Sequence, residues 1–270
     1  MKGHTEPMAD KNTARTAFFL TGAAVGGYFL WKFLQGSGGT QASSQTFSAE
    51  TMPTDTVTPI EKKHTMTHIL HLDSSARGSS SHSRTVSGEL VAALKAADPS
   101  VTVTYRDLGH EAIPYVSETL ISAMYTPAEM RTAEQNAEIA LSDQLVAELA
   151  AADVYVFGIP MYNFSVPGVF KSYIDQVVRP GVTFDPATYQ GLLLNKKAFV
   201  ITARGGGGYG PGEAREAYNV QDPVVKNAFG LMGVTDIEFI HVNNTARGED
   251  VVNGALAEAR EKIASLVQAM

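Results

Sequence analysis

"HILHLDSSARGSSSHSRTVSGELVAAL", residues 68–94, is the stretch that decides the fold. Its opening "HILHL" reads as a short apolar strand, and Val86, Leu90 and Leu94 then recur at every fourth position, the spacing of a helix that stops near "DPS". A strand that runs through a short loop into a helix is the first half of a βαβ unit. The loop itself is rich in serine, with one histidine and no carboxylate between Ser74 and Arg84. A helix starting near Ser83 points its free N–H groups and the positive end of its dipole at that loop. Hydroxyls of Ser75, Ser81 and Ser83 add donors, so the loop can cradle a phosphate. A plain N-cap or a ligand-free serine linker accounts for the same residues, and both readings stay open on this stretch alone. Neither GxGxxG nor the lysine of a P-loop is present.

Working outward, apolar runs alternate with amphipathic ones. "VTVTYRDL" (101–108) reads as a strand, and a helix is expected over Ala133–Leu149 with Ala137, Leu141, Leu145 and Leu149 on one stripe. Next come the strand "DVYVFGIP" (153–160), a helix from about Pro167 to Val178, the strand "KAFVITA" (197–203), a helix near Pro223–Met232, the strand "TDIEFIHV" (235–242) and a closing helix carrying Ile263, Leu266 and Val267. This alternation predicts an α/β fold, a five-stranded parallel sheet of order 2-1-3-4-5 with helices on both faces. Ligands of such sheets bind beyond the carboxyl ends of the strands, where the winding reverses. Two further loops are expected at that edge. "PMYNFSVPG" (160–168) can offer backbone groups to a flat heteroaromatic edge while Met161 and Tyr162 pack on its plane. "TARGGGGYG" (202–210) exposes backbone to close approach through its glycines. A buried turn and a mobile loop are the bland alternatives.

Composition narrows the class. The 270 residues carry a formal charge of −7, and residues 1–65 hold 6 Lys and Arg against 5 Asp and Glu, which leaves 15 against 23 for residues 66–270. The larger part is acidic, which argues against a nucleic-acid partner. With no cysteine, thiolate catalysis and disulfides are excluded, and any redox chemistry must come from a cofactor. The spacing of His68, His71 and His110 does not suggest a metal site. Residues 1–15 read as a tail, 16–34 ("TAFFLTGAAVGGYFLWKFL") as a candidate membrane anchor on the short side of a full span, and 35–65 as a flexible Gly/Ser/Thr/Pro linker. A competing reading leaves residues 1–65 outside the working protein, because "MTHILHLDSS" from Met66 has the look of a natural start. The domain is expected over residues 66–270, in the cytoplasm, with a tether through residues 16–34 as an addition; the side of the membrane stays open.

"PMYNF" (160–164), "GVTF" (181–184), "VITARGG" (200–206) and "LMGVTDIEF" (231–239), in this order and spacing, resemble the FMN-dependent NADH-azoreductases, a family of flavodoxin-like NAD(P)H:quinone reductases. The resemblance covers the domain from Met66 onward and none of residues 1–65. It implies a homodimer, one FMN per subunit, and two-electron transfer from NADH or NADPH to quinones or azo compounds, with the flavin rather than a side chain as the reacting group. It assigns Ser75, Ser81 and Ser83 to the FMN phosphate, joined by His82, which stands where the family often has Gln. Pro160, Met161, Tyr162, Asn163 and Phe164 then hold the ribityl chain and ring, and Ala203, Arg204, Gly205 and Gly206 the pyrimidine edge, Ala203 replacing a frequent Ser. Tyr125, Phe164 and Phe184 are candidates for the substrate pocket, with ordinary core packing as the alternative. A flavodoxin-like electron carrier and a non-catalytic flavin-binding module are the rival readings.

Overall fold

A computed structural model describes residues 68–269 apart from Ala112. The candidate anchor and the linker therefore lie outside the described residues, among which no helix is long and apolar enough to cross a membrane.

The elements follow in the order β1 (His68–Asp73), α1 (His82–Ala97), β2 (Thr102–Asp107), α2 (Glu118–Tyr125), α3 (Ala133–Ala151), β3 (Val154–Pro160), α4 (Gly168–Val177), β4 (Lys197–Ala203), α5 (Gln221–Leu231), β5 (Asp236–Val242) and α6 (Glu249–Gln268). All strand pairs are parallel, in the order β2-β1-β3-β4-β5 that the sequence predicts. The central strand β3, "VYVFGIP", is buried throughout, as a strand covered on both faces must be. Its alternation splits the core in two. Tyr155 and Phe157 face α3, α4 and α5 with Phe170 and Phe229, whereas Val154 and Val156 face α1 and α6 with Leu90 and Ile263.

Two features of the helices depart from expectation. The stripe on α3 is Ile139, Ser142, Leu145, Val146 and Leu149, and Ala137 is exposed. A strict four-residue repeat drifts by about 40° per step on a helix of 3.6 residues per turn, so over three steps it leaves the buried face. Helix α2 is absent from the sequence reading. It is short, is capped by Ser117, and buries Leu120 and Ala123 against Ile139 of α3 rather than against the sheet.

Strand β1 lies between β2 and β3, and the winding reverses there. At its carboxyl end Asp73, buried, pairs in register with Gly158. Asp73 accepts hydrogen bonds from Ser87 Oγ (2.8 Å) and from Tyr105 (3.2 Å), which ties β1 to α1 and β2. A Cβ on residue 158 would lie 2.1 Å from Asp73 Oδ1. Gly158→Ala should accordingly lower the stability of the fold by about 1–3 kcal/mol, the usual cost of overpacking, measured as a shifted urea midpoint at unchanged slope.

Candidate flavin site

The β1–α1 loop places its serines as a cradle. Ser81 is the N-cap of α1, its hydroxyl accepts from Arg84 N (3.5 Å), and it lies 3.2 Å from Ser83 Oγ. The hydroxyls of Ser75, Ser81 and Ser83 belong to buried residues, and Ser75 Oγ accepts from Arg77 N (3.2 Å). The helix starts one residue earlier than expected, at His82, with no acidic residue in its first turn. The backbone N–H groups of His82 and Ser83 find no acceptor among the described residues, as the geometry of a helix start requires. Two N–H groups and two neighbouring hydroxyls thus converge where the dipole favours an anion, and they fit a phosphate.

The loop after β3 is a tight turn. Tyr162 N donates to Ser165 O (3.0 Å) and Ser165 N to Tyr162 O (3.1 Å), with Asn163 at φ 49° and Phe164 at φ 69° between them. Asparagine enters this left-handed region readily, but phenylalanine does so at a cost and only when its surroundings hold it. Those surroundings are visible: Phe164 O accepts from Val220 N (3.1 Å), and the Phe164 ring lies 5.2 Å from that of Tyr218. Met161 N donates to Ala203 O (2.9 Å), joining this loop to the end of β4, and Tyr162 Oη accepts from Ala76 N (3.3 Å), joining it to the β1–α1 loop. Pro160 closes β3, and Met161 is half-buried beside it.

The glycine loop lies along the segment after β5. Gly205 O and Gly206 O accept from Ala246 N (3.2 Å) and Asn244 N (3.0 Å), while the N–H groups of Gly205 and Gly206 have no acceptor among the described residues. Arg204 turns its side chain into the protein. Buried, it donates from Nε to Gln221 Oε1 (3.0 Å) and from Nη2 to Asp222 Oδ1 (2.6 Å), and both its backbone groups bond to the β5 side. Gln221 in turn donates to Ile159 O (3.0 Å), so Arg204 fastens the glycine loop to α5 and β3. Asn219 continues this network to Tyr209 O (3.2 Å) and Asp222 Oδ2 (2.8 Å).

The three aromatic residues expected to share a substrate pocket are divided. Tyr125, 65% exposed, and Phe184, buried, line one cavity of about 510 Å³ with Ile121, Lys171 and Pro180. Phe164 is absent from that lining and pairs with Tyr218. Tyr218, Asn219 and Gln221 escaped the sequence reading. The available signal was the strand-end Arg204, whose burial requires an acid nearby, and "NVQDP" (219–223) supplies one at a helix start.

A model of the flavodoxin-like fold family matches residues 67–267, and the chain belongs to that family. An FMN-dependent NADH:quinone oxidoreductase of Nostoc punctiforme is 48% identical over 200 residues, covering 73% of this chain and 97% of that protein. One of the same description from Burkholderia pseudomallei is 42% identical, covering 74% of this chain and all of that protein. Within the flavodoxin-like family the chain is thus a member of the group of FMN-dependent NADH:quinone oxidoreductases. An azoreductase structure from Bacillus anthracis superposes with a TM-score of 0.68 at 26% identity, covering 76% of this chain and all of that one. An FMN-dependent NADH-azoreductase of Bacillus anthracis in complex with FMN shares the fold at a TM-score of 0.64 and 23% identity, over 74% of this chain and 99% of that one.

His241, beside this network, provides a pH test. Its Nδ1 lies 2.7 Å from Thr202 Oγ1 and its Nε2 3.5 Å from Asp222 Oδ2. Desolvation of this partly exposed ring and then the Arg204 charge push its pKa from 6.5 down to about 4, against the attraction of Asp222. Between these values the unfolded chain binds a proton that the folded one refuses, so this residue's contribution to stability falls as pH drops through that window. His241→Gln should shrink the loss of stability between pH 7 and pH 5, read from urea midpoints beside the parent protein.

Proposed function

We propose that this chain is an FMN-dependent NADH:quinone oxidoreductase that also reduces azo compounds. The observation that carries the reading is the alignment of the domain with nearly the whole length of relatives that bear this description. Bound FMN supplies the two-electron chemistry between the nicotinamide donor, NADH or NADPH, and the acceptor. The chain's own residues bind and orient. Ser75, Ser81, His82 and Ser83 would hold the phosphate through hydroxyls and first-turn N–H groups. The turn at 162–165, with Pro160 and Met161 behind it, would hold the ring and ribityl chain. N–H groups of Gly205 and Gly206, at a loop fixed by Ala203 and Arg204, would meet the pyrimidine edge and stabilise negative charge there without reorganising. No side-chain acid or base is needed; Tyr125 and Phe184 would wall the cavity where donor and acceptor alternate, while Phe164 stands apart from that cavity in the turn that would hold the ring.

A homodimer belongs to the same proposal. Tyr115, Val116, Ile121, Tyr125 and Met130 are exposed on and around α2, and a second copy offers them cover. The tether through residues 16–34 and the linker over 35–65 rest on the sequence alone.

Stopped-flow absorbance of the full chain loaded with FMN tests the function. Under anaerobic conditions NADH should bleach the visible flavin band in a single two-electron step, and a quinone or an azo dye should restore it. Flavin that NADH cannot bleach would point to an electron carrier fed by another protein. A colourless chain that FMN cannot reconstitute would remove the reading altogether.

A further inference from the structure

Arg84, the third residue of α1, turns its guanidinium to the carbonyl of Ser75 and the end of β2. Its Nη2 and Nε donate to Ser75 O (2.6 and 3.3 Å), and its Nη1 donates to Asp107 Oδ2 (2.8 Å) and Tyr105 Oη (3.1 Å). Nη2 also bonds Asp107 Oδ1. All five N–H donors of the guanidinium are engaged within the chain, and the side chain is 11% exposed. Asp107 is held from its other side, accepting from Gly109 N (3.1 Å) and lying 2.8 Å from His110 Nδ1. Gly109 is pressed onto the loop: a Cβ there would fall 2.0 Å from Ser75 O and 2.6 Å from Arg84 Nη2. The end of β2 thus grips the carbonyl of Ser75 through one arginine.

We propose that Arg84 and Asp107 form a staple that sets the backbone of the 74–81 loop, and that they are positioning residues for the flavin phosphate rather than ligands to it. The inference rests on the reading of this loop as the FMN phosphate site. A bidentate guanidinium fixes both distance and plane, which a lysine ammonium does not. The loops assigned to the ring, 162–165 and 204–208, have no contact with Arg84 among the described hydrogen bonds and ion pairs. The 74–81 loop itself meets the ring-holding turn through Ala76 N on Tyr162 Oη (3.3 Å), so losing the staple should affect recognition of the phosphate far more than recognition of the ring.

Flavin binding to the full chain, followed by quenching of flavin fluorescence, separates the two. FMN and riboflavin share the ring and ribityl chain, and riboflavin lacks the phosphate. Arg84→Met should weaken FMN binding about tenfold or more, the loss expected for charged hydrogen bonds, and change riboflavin binding far less. Arg84→Lys should recover part of the loss. Should Arg84→Met fail to fold, Asp107→Asn keeps the arginine, frees one end of the staple, and should weaken FMN more than riboflavin, to a smaller extent. Equal losses for both flavins, or no loss for either, would overturn the staple while the functional reading stands. A parent protein that binds riboflavin as tightly as FMN, or neither, would overturn the assignment of the loop to phosphate, and the staple with it.

Discussion

Parallel pairing of β1 with β3 is the constraint on which the rest of this structure depends. Because β2 and β3 flank β1 on opposite sides, the chain must wind away from it in both directions, and a crevice opens above its carboxyl end. A buried carboxylate, Asp73, sits against a strand residue with no side chain, Gly158, and collects hydrogen bonds from α1 and β2. Ser74 adds a further tie, its backbone N–H and its hydroxyl both donating to Gly158 O (2.9 and 3.0 Å). The loops of the crevice therefore start from a base locked across three elements.

Above that base the loops hold one another. The left-handed pair Asn163 and Phe164 persists because Val220, Tyr218, Ala203 and Ala76 each bond or pack to the turn or its flanks. Arg204 performs the same service for the glycine loop by reaching Gln221 and Asp222 inside the protein. An ion pair so nearly buried gains little net stability over an apolar substitute, but removal of one partner leaves the other charge stranded. Its value lies in geometry: the N–H groups of a loop favour charge beside them only if their backbone does not relax.

Much of this was legible in the sequence because parallel sheets write strongly periodic signals. β3 is apolar along its whole length, and the Val86, Leu90 and Leu94 stripe faces the core as read. Helix α2 left no such signal because it rests on another helix and exposes Ile121 and Tyr125. The α3 stripe was misphased because Ala137 stands at an apolar-looking position that rotation carries to solvent. For the site, residue types and loop positions could be read, but side-chain direction could not. Arg204 stands in the glycine loop assigned to the cofactor and Arg84 at the end of the serine-rich stretch, and neither position shows where the side chain points. Only the positions of Asp222 and Asp107, far away in sequence or on another strand, turn them inward.

That inward turn has an electrostatic consequence. A chain of net charge −7 would repel an anionic cofactor if recognition relied on overall field. With Arg84 and Arg204 both paired with carboxylates, the attraction that the phosphate site proposed at α1 would exert comes from first-turn N–H groups, hydroxyls and the screened charge of the exposed Arg77. The N–H dipoles act within about one helical turn, so they barely sense the distant acidic surface, and their strength depends steeply on where the backbone stands. A site of this kind discriminates by position rather than by charge. It therefore needs its arginines more as braces for the loops than as partners for the ligand.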